Sequence, residues 1–104
     1  MDLLPDELRS RLPPIHSQEA ETDPVVYARF FVPGTELAWY PIEGETQGED
    51  FLFFGWISGS RSEFDFFLLS QLEAFRGLLE LQRVERDPAF AAGRLTDVVP
   101  PPDL

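Results

Sequence analysis

The chain has 104 residues, with 19 acids against 8 bases for a net charge of −11, 43% apolar residues, ten phenylalanines, one histidine and no cysteine. That length accommodates one core and no second, and the apolar content is enough to offset ordering entropy, which excludes a chain disordered throughout. The missing cysteines exclude disulfides, thiol catalysis and zinc–thiolate sites, and the acidity excludes direct binding to a nucleic-acid backbone, which draws its affinity from basic residues.

Residues 2–12 predict a short amphipathic helix. Leu4, Leu8 and Leu12 recur at intervals of four, and Pro5 suits the first helical position. Asp6 and Glu7 fall at the positive end of the helix dipole, Arg9 and Arg11 at the negative end, and Pro13-Pro14 ends the element. The segment lacks the apolar stretch of a secretory signal, and no run approaches the roughly 18 apolar residues that cross a bilayer. The expectation is a cytoplasmic chain without membrane contact. Residues 15–24 read as an exposed acidic connector, with His16 a loop residue.

Residues 25–32 (VVYARFFV) predict a strand with Val26, Ala28, Phe30 and Val32 on the core face. Arg29 lies on the other face and needs a carboxylate partner, with Asp65, Glu85 and Asp87 as candidates. Residues 36–42 predict a second strand, kept at a sheet edge or ended by Pro41, which has no N–H to donate. Residues 43–50 (EGETQGED) read as an acidic loop, and residues 51–58 (FLFFGWIS) as a central strand apolar on both faces. After a four-residue turn, residues 63–69 predict a fourth strand with Phe64, Phe66 and Leu68 on one face. No connection is long enough for a crossover helix, so the strands are antiparallel.

Ser70-Gln71-Leu72-Glu73 has the pattern of a capping box, with the Ser70 hydroxyl accepting from the Glu73 N–H and the Glu73 carboxylate accepting from the Ser70 N–H. About two turns of helix follow, with Leu72 and Phe75 inward and Gly77 as a left-handed stop. Residues 78–87 fit either more helix or an extended segment around Arg83–Asp87. Arg83, Glu85, Arg86 and Asp87 alternate in sign, as in an ion-pair network fastening this segment to the sheet. Val98 to Leu104 holds three consecutive prolines and predicts a flexible tail, leaving residues 1–97 as the folded unit. The fold class is α+β: one small domain, an antiparallel sheet of about four strands, and short helices at its N-terminal and C-terminal sides.

The candidate contact site combines Trp39 and Tyr40, whose side chains leave opposite faces of a strand, with the acidic run Glu43, Glu45, Glu49 and Asp50. The run's spacing does not match an EF-hand, so no metal is assigned. His16 has no neighbouring nucleophile, and no catalytic residue or cofactor is assigned. Residues 1–60 carry eleven acids against three bases, and five acids with no base lie between Arg29 and Arg61. A one-sided negative potential speeds encounter with a basic protein. The expected role is a non-enzymatic binding or inhibitory module, monomeric or weakly dimeric, whose partner has a basic surface; its sharper version is a DNA mimic. A metal-dependent enzyme on the acidic run and an accessory subunit burying exposed Phe surface are the rival classes.

Successive blocks also resemble a known family. Leu12-Pro13-Pro14 with Glu19, Val26-Tyr27-Ala28-Arg29-Phe30-Phe31, Trp39-Tyr40 with Glu43-Gly44, Asp50-Phe51, Phe53-Phe54-Gly55, Ser70-x-Leu72-Glu73, Arg76-Gly77 and Val84-Glu85-Arg86-Asp87 occur in order. Together, over roughly residues 3–90, they resemble the bacterial domain-of-unknown-function family number 2958. The resemblance implies small cytoplasmic proteins, often on plasmids and other mobile elements, and carries no reaction. Three positions depart from the family pattern: Asp65 and Glu80 stand where glycines are usual, and Pro88-Ala89-Phe90 lacks a usual histidine.

Overall fold

Residues 1–100 are described in the computed structural model. Along the chain run α1 (Asp6–Arg11), β1 (Val25–Val26), β2 (Phe30–Phe31), β3 (Ala38–Gln47), β4 (Asp50–Ser58), β5 (Glu63–Leu68), α2 (Leu69–Ala74), a single 3-10 turn (Leu78–Glu80), β6 (Glu85–Arg86), β7 (Gly93–Arg94) and α3 (Leu95–Val98). Five strands form one antiparallel sheet in the order β5-β4-β3-β2-β6, and β1 pairs with β7 in a separate two-stranded ladder. The α+β class and the antiparallel pairing are as the sequence predicts. The single strand expected over 25–32 is divided between the two sheets, although its inward residues alternate as read: Val26, Ala28, Phe30 and Val32 are all buried.

The expected loop over residues 43–50 is instead the far half of β3 and a tight turn at Gly48-Glu49, with Gly48 at φ +61. β3 is therefore the middle strand, and Pro41 neither ends it nor lies at an edge. Two features accommodate the proline. The register shifts between Pro41 and Glu43, so no regular ladder donor is needed there. Opposite Pro41 stands Gly55, where a Cβ would lie 2.2 Å from the Tyr40 carbonyl oxygen and 2.7 Å from the Pro41 Cα. The bulge also resets the side-chain alternation. Ile42 and Glu43 both turn to the same face of the sheet, the one that carries Phe54.

The two faces bury two cores. The main core joins Leu4, Leu8 and Leu12 of the N-terminal segment to Phe30, Phe53 and Phe67, with Phe53 edge-on to Phe30 at 5.5 Å and stacked on Phe67 at 5.1 Å. The smaller core on the other face gathers Val26, Tyr40 and Ile42 under Leu95 and Val99. Val98 ends α3 and Val99 is fully buried, so both belong to the folded unit; Pro100 is exposed, and residues 101–104 of the expected tail lie outside the described residues.

Both sheet edges have amides taken by side chains or by the N-terminus. On β5 the Phe66 N–H donates to Asp65 Oδ1 at 2.7 Å and the Leu68 N–H to Gln71 Oε1 at 2.8 Å. On β6 the Arg86 N–H meets the Met1 sulfur at 3.0 Å. Gly55→Ala is expected to lower unfolding free energy by about 3 kcal/mol, because backbone atoms must move to admit the methyl group. Gly59→Ala, which meets only the end of the Leu37 side chain at 3.3 Å, is the control with a smaller effect. Urea denaturation of both variants checks the difference.

Candidate binding cleft

The residues singled out from sequence do not form one surface. Trp39 is buried in the main core, edge-on to Phe75 at 6.1 Å. Tyr40 is buried on the other face, its hydroxyl accepting from Arg29 Nε at 3.4 Å. Glu43 is only 2% exposed, with Oε1 accepting from the His16 N–H at 2.9 Å and Oε2 from the Gln18 N–H at 2.7 Å. Glu45 Oε1 accepts from the Ile15 N–H at 3.0 Å. Asp50 turns to α2, and Glu49 sits exposed in the turn. The acidic run thus fastens backbone instead of facing outward as one patch. A buried carboxylate is tolerable where N–H groups satisfy both of its oxygens.

That fastening builds the wall of a cleft. The connector 15–24 is held to β3 by Glu43 and Glu45, and Gln18 locks its far side: its amide donates to the Val25 and Ile42 carbonyls, and its Oε1 accepts from the Val25 N–H. Between this wall and the sheet opens a cavity of about 400 Å³. Its floor is Ile42, Phe54, Phe64 and Phe66; its rim carries His16, Glu19 and Glu21. Phe64 and Phe66 remain 40% and 46% exposed. Phe54 packs against both, with ring centroids 5.7 Å and 4.8 Å away, and Trp56 meets Phe64 edge-on at 5.0 Å. The rim charges are loosely paired: Glu19 lies 3.9 Å from His16 Nδ1 and Glu21 lies 3.8 Å from Arg94. The face shared by Phe64 and Phe66 is apolar, as the sequence indicates, yet the buried side chain of β5 is Phe67 on the opposite face.

A second exposed apolar feature follows α2. Leu78, Leu79 and Leu81 are 72%, 78% and 77% exposed. The expected left-handed stop is not at Gly77, whose φ is −86; Leu79 and Glu80 adopt left-handed backbone instead, at φ 55 and 63. Each such residue costs roughly 1–2 kcal/mol relative to ordinary helical backbone. Hydrogen bonds hold the strained turn in place. The Leu78 N–H donates to Gln82 Oε1, the Gly77 N–H to the Gln82 carbonyl, and the Glu80 N–H to the Gly77 carbonyl.

The family model described as "Protein of unknown function (DUF2958)" matches residues 3–98. The chain belongs to this family. The DUF2958 match takes in the main core, the smaller core apart from Val99, the cleft and the leucine turn. No curated protein and no solved structure matches the chain. Among the described residues no helix is long and apolar enough to cross a membrane, and no three His, Cys, Asp or Glu side chains converge as metal ligands.

The remaining assignments divide. Arg29 finds one of its three candidate partners, with Nη1 at 4.0 Å from Asp87, and also lies over the Phe31 ring at 4.3 Å. The wider network does not form. Arg83 donates to the Glu80 and Gln82 carbonyls, Arg86 reaches the Asp2 carbonyl at 3.4 Å, and among the described residues Glu85 makes no ion pair. Ser70 is not a cap, because the helix starts one residue earlier, at Leu69. Ser70 occupies the second helical position, where its N–H donates to Asp50 Oδ1 at 3.1 Å and its hydroxyl to Asp50 Oδ2. The reciprocal half of the box comes from Gln71, which accepts from the Leu68 N–H, and Glu73 takes no part. Sequence reading missed a second instance of this device: Thr96, at the second position of α3, donates its N–H and hydroxyl to the two oxygens of Asp23, at 3.0 and 2.6 Å. Both anchors come from distant segments, so local spacing carries no signal for them.

Glu43→Ala is expected to cost roughly 3 kcal/mol, since two amides lose a charged acceptor. Glu43→Gln keeps one acceptor oxygen and falls between the two in urea denaturation. The Ser70 hydroxyl first, then the Phe51 N–H, holds the Asp50 carboxyl below its ordinary 3.8; the Thr96 hydroxyl and N–H do the same for Asp23. Because the folded values are the lower ones, this stabilisation is complete above the unfolded value and is lost as pH falls from 3.8 through the folded values. The stability gap between the parent and Asp50→Asn or Asp23→Asn should therefore close in that acid range, as read from urea midpoints at a series of pH values. A gap constant across the range would contradict the assignment.

Proposed function

We propose that this DUF2958 chain is a non-enzymatic binding module that takes a segment of a protein partner into the aromatic cleft. An apolar side chain of that segment sits on Phe54, Phe64 and Phe66, and a neighbouring arginine or lysine meets Glu19 and Glu21. The observation that carries this reading is the pair of half-exposed phenylalanines on a rigid strand, facing a wall pinned by a buried carboxylate. Concave apolar surface with a few polar groups on its rim is the usual form of a recognition site. Aromatic side chains there supply most of the binding free energy, and a cation over a phenyl ring adds to it.

The chemistry within reach favours binding over catalysis. His16 is exposed and faces a carboxylate, and the hydroxyl of the adjacent Ser17 is turned away to donate to the Pro14 carbonyl. A DNA mimic needs carboxylates spaced along an open surface, whereas Glu43, Glu45 and Asp50 are engaged by backbone N–H groups. The basic partner remains, with its contact moved from the acidic run to the cleft rim.

The test is an array of short peptides that vary independently in charge and apolar content, probed with the purified chain. Peptides combining a basic residue with an aliphatic or aromatic one are expected to bind, more weakly as salt rises. Phe66→Ser should weaken the best of them about 30-fold, the effect of one hot-spot residue. Preference for acidic peptides, or indifference to Phe66→Ser, would sink the reading.

A further inference from the structure

The leucine turn and the cleft are complementary, and the geometry points to a second copy of this chain as a cleft occupant. In this arrangement the turn of one molecule seats Leu78, Leu79 and Leu81 against Phe54, Phe64 and Phe66 of the next. The inference rests on the reading of the cleft as a docking surface and names a partner for it.

Shape is the first argument. The turn holds three leucines more than 70% exposed; the cleft is concave and apolar, and its volume of about 400 Å³ exceeds the ~150 Å³ of an apolar cavity that binds one benzene. The turn is also ready to bind. Its left-handed residues are already fixed by Gln82 and by its own backbone bonds, so docking orders little new chain. A Cβ at Gly77 would lie 2.0 Å from Gln82 Oε1, so the glycine is what lets Gln82 close the turn.

Charge is the second argument. Arg76 and Arg83 flank the leucines. Their guanidinium groups donate only to main-chain carbonyls, and among the described residues no carboxylate lies within 4.0 Å of either. The cleft rim offers Glu19 and Glu21. Placement is the third. The turn follows α2, which packs Leu72 into the main core, whereas the cleft opens on the other face of the sheet. A molecule therefore offers its turn to a neighbour and its cleft to another, a head-to-tail contact instead of a two-fold one.

Two chains of net charge −11 repel at long range, so this association strengthens as salt rises, the reverse of binding to a basic peptide. Sedimentation velocity of the full chain over a concentration series, at low and high salt, tests it. The parent is expected to assemble with concentration, more so at high salt. Leu79→Asp and Phe66→Asp should each raise the dissociation constant by about 30-fold or more and run as monomers. Both positions are exposed, and aspartate tolerates left-handed backbone better than leucine, so both variants should keep the parent's circular dichroism. Leu81→Asp and Phe64→Asp repeat the test at neighbouring positions.

The decisive measurement is an equimolar mixture of Leu79→Asp and Phe66→Asp. One retains an intact cleft and the other an intact turn, so the mixture should give a one-to-one heterodimer and nothing larger. A parent monomeric at every concentration, or a mixture that stays monomeric, overturns the inference. If the parent stays monomeric while basic peptides still bind the cleft, self-docking is wrong and the binding reading stands. If Phe66→Asp assembles like the parent and the peptides do not bind, both are wrong.

Discussion

Glu43 is a charged side chain placed where almost no water reaches, and the arrangement around it follows from that. Its two oxygens need strong donors, and the connector supplies the N–H groups of His16 and Gln18. The same bonds pull the connector against the sheet and fix the wall that faces Phe64 and Phe66. Glu43 reaches this position because of the bulge at Pro41, which turns two consecutive side chains, Ile42 and Glu43, to one face. The bulge in turn depends on Gly55 opposite, where no side chain fits. Proline, glycine and glutamate thus act as one device, and the cleft is its product.

The acidic composition takes on a different meaning in this frame. Glu43 and Glu45 hold a loop, while Asp50 and Asp23 each receive the N–H and hydroxyl of the second residue of a short helix. Helices of six and four residues are too short to persist by propensity, and an anchoring anion at the positive end compensates. Part of the negative charge is therefore internal wiring. The portion left facing solvent beside apolar surface, Glu19 and Glu21, is the portion with a recognition role in the proposed binding.

What the sequence made legible was whatever depends on local periodicity. The leucines of the N-terminal segment are buried at the predicted spacing of four, although the helix expected over 2–12 is confined to Asp6–Arg11 and holds only Leu8 of the three, and the alternation over 25–32 follows the extended repeat. Arg29 was legible as a charge in need of a partner, and chain geometry then selected Asp87. The failures involve contacts distant in sequence. Residues 43–50 have loop-like composition, yet they pair with β4 because their carboxylates are met by residues near position 16. Ser70 has the right neighbours for a capping box, but Asp50, twenty residues away, is the stronger acceptor. Pro41 reads as an edge until Gly55 stands across from it. The cleft was invisible for the same reason, since its floor and wall come from segments that no spacing connects.

The closed amides of β5 have a consequence for how such a surface stays usable. A solvent-facing strand carrying two exposed phenylalanines is the kind of template on which other chains grow as cross-β, provided its outward N–H groups are free to pair. Here Asp65 and Gln71 occupy the Phe66 and Leu68 amides. Addition of a further strand must first displace them. A hydrogen-bond ladder cannot form at these two amides without that displacement, while the phenylalanine rings stay open to side-chain contacts that form and release singly. On this edge, exposed apolar surface is thereby partly separated from backbone that is free to polymerise.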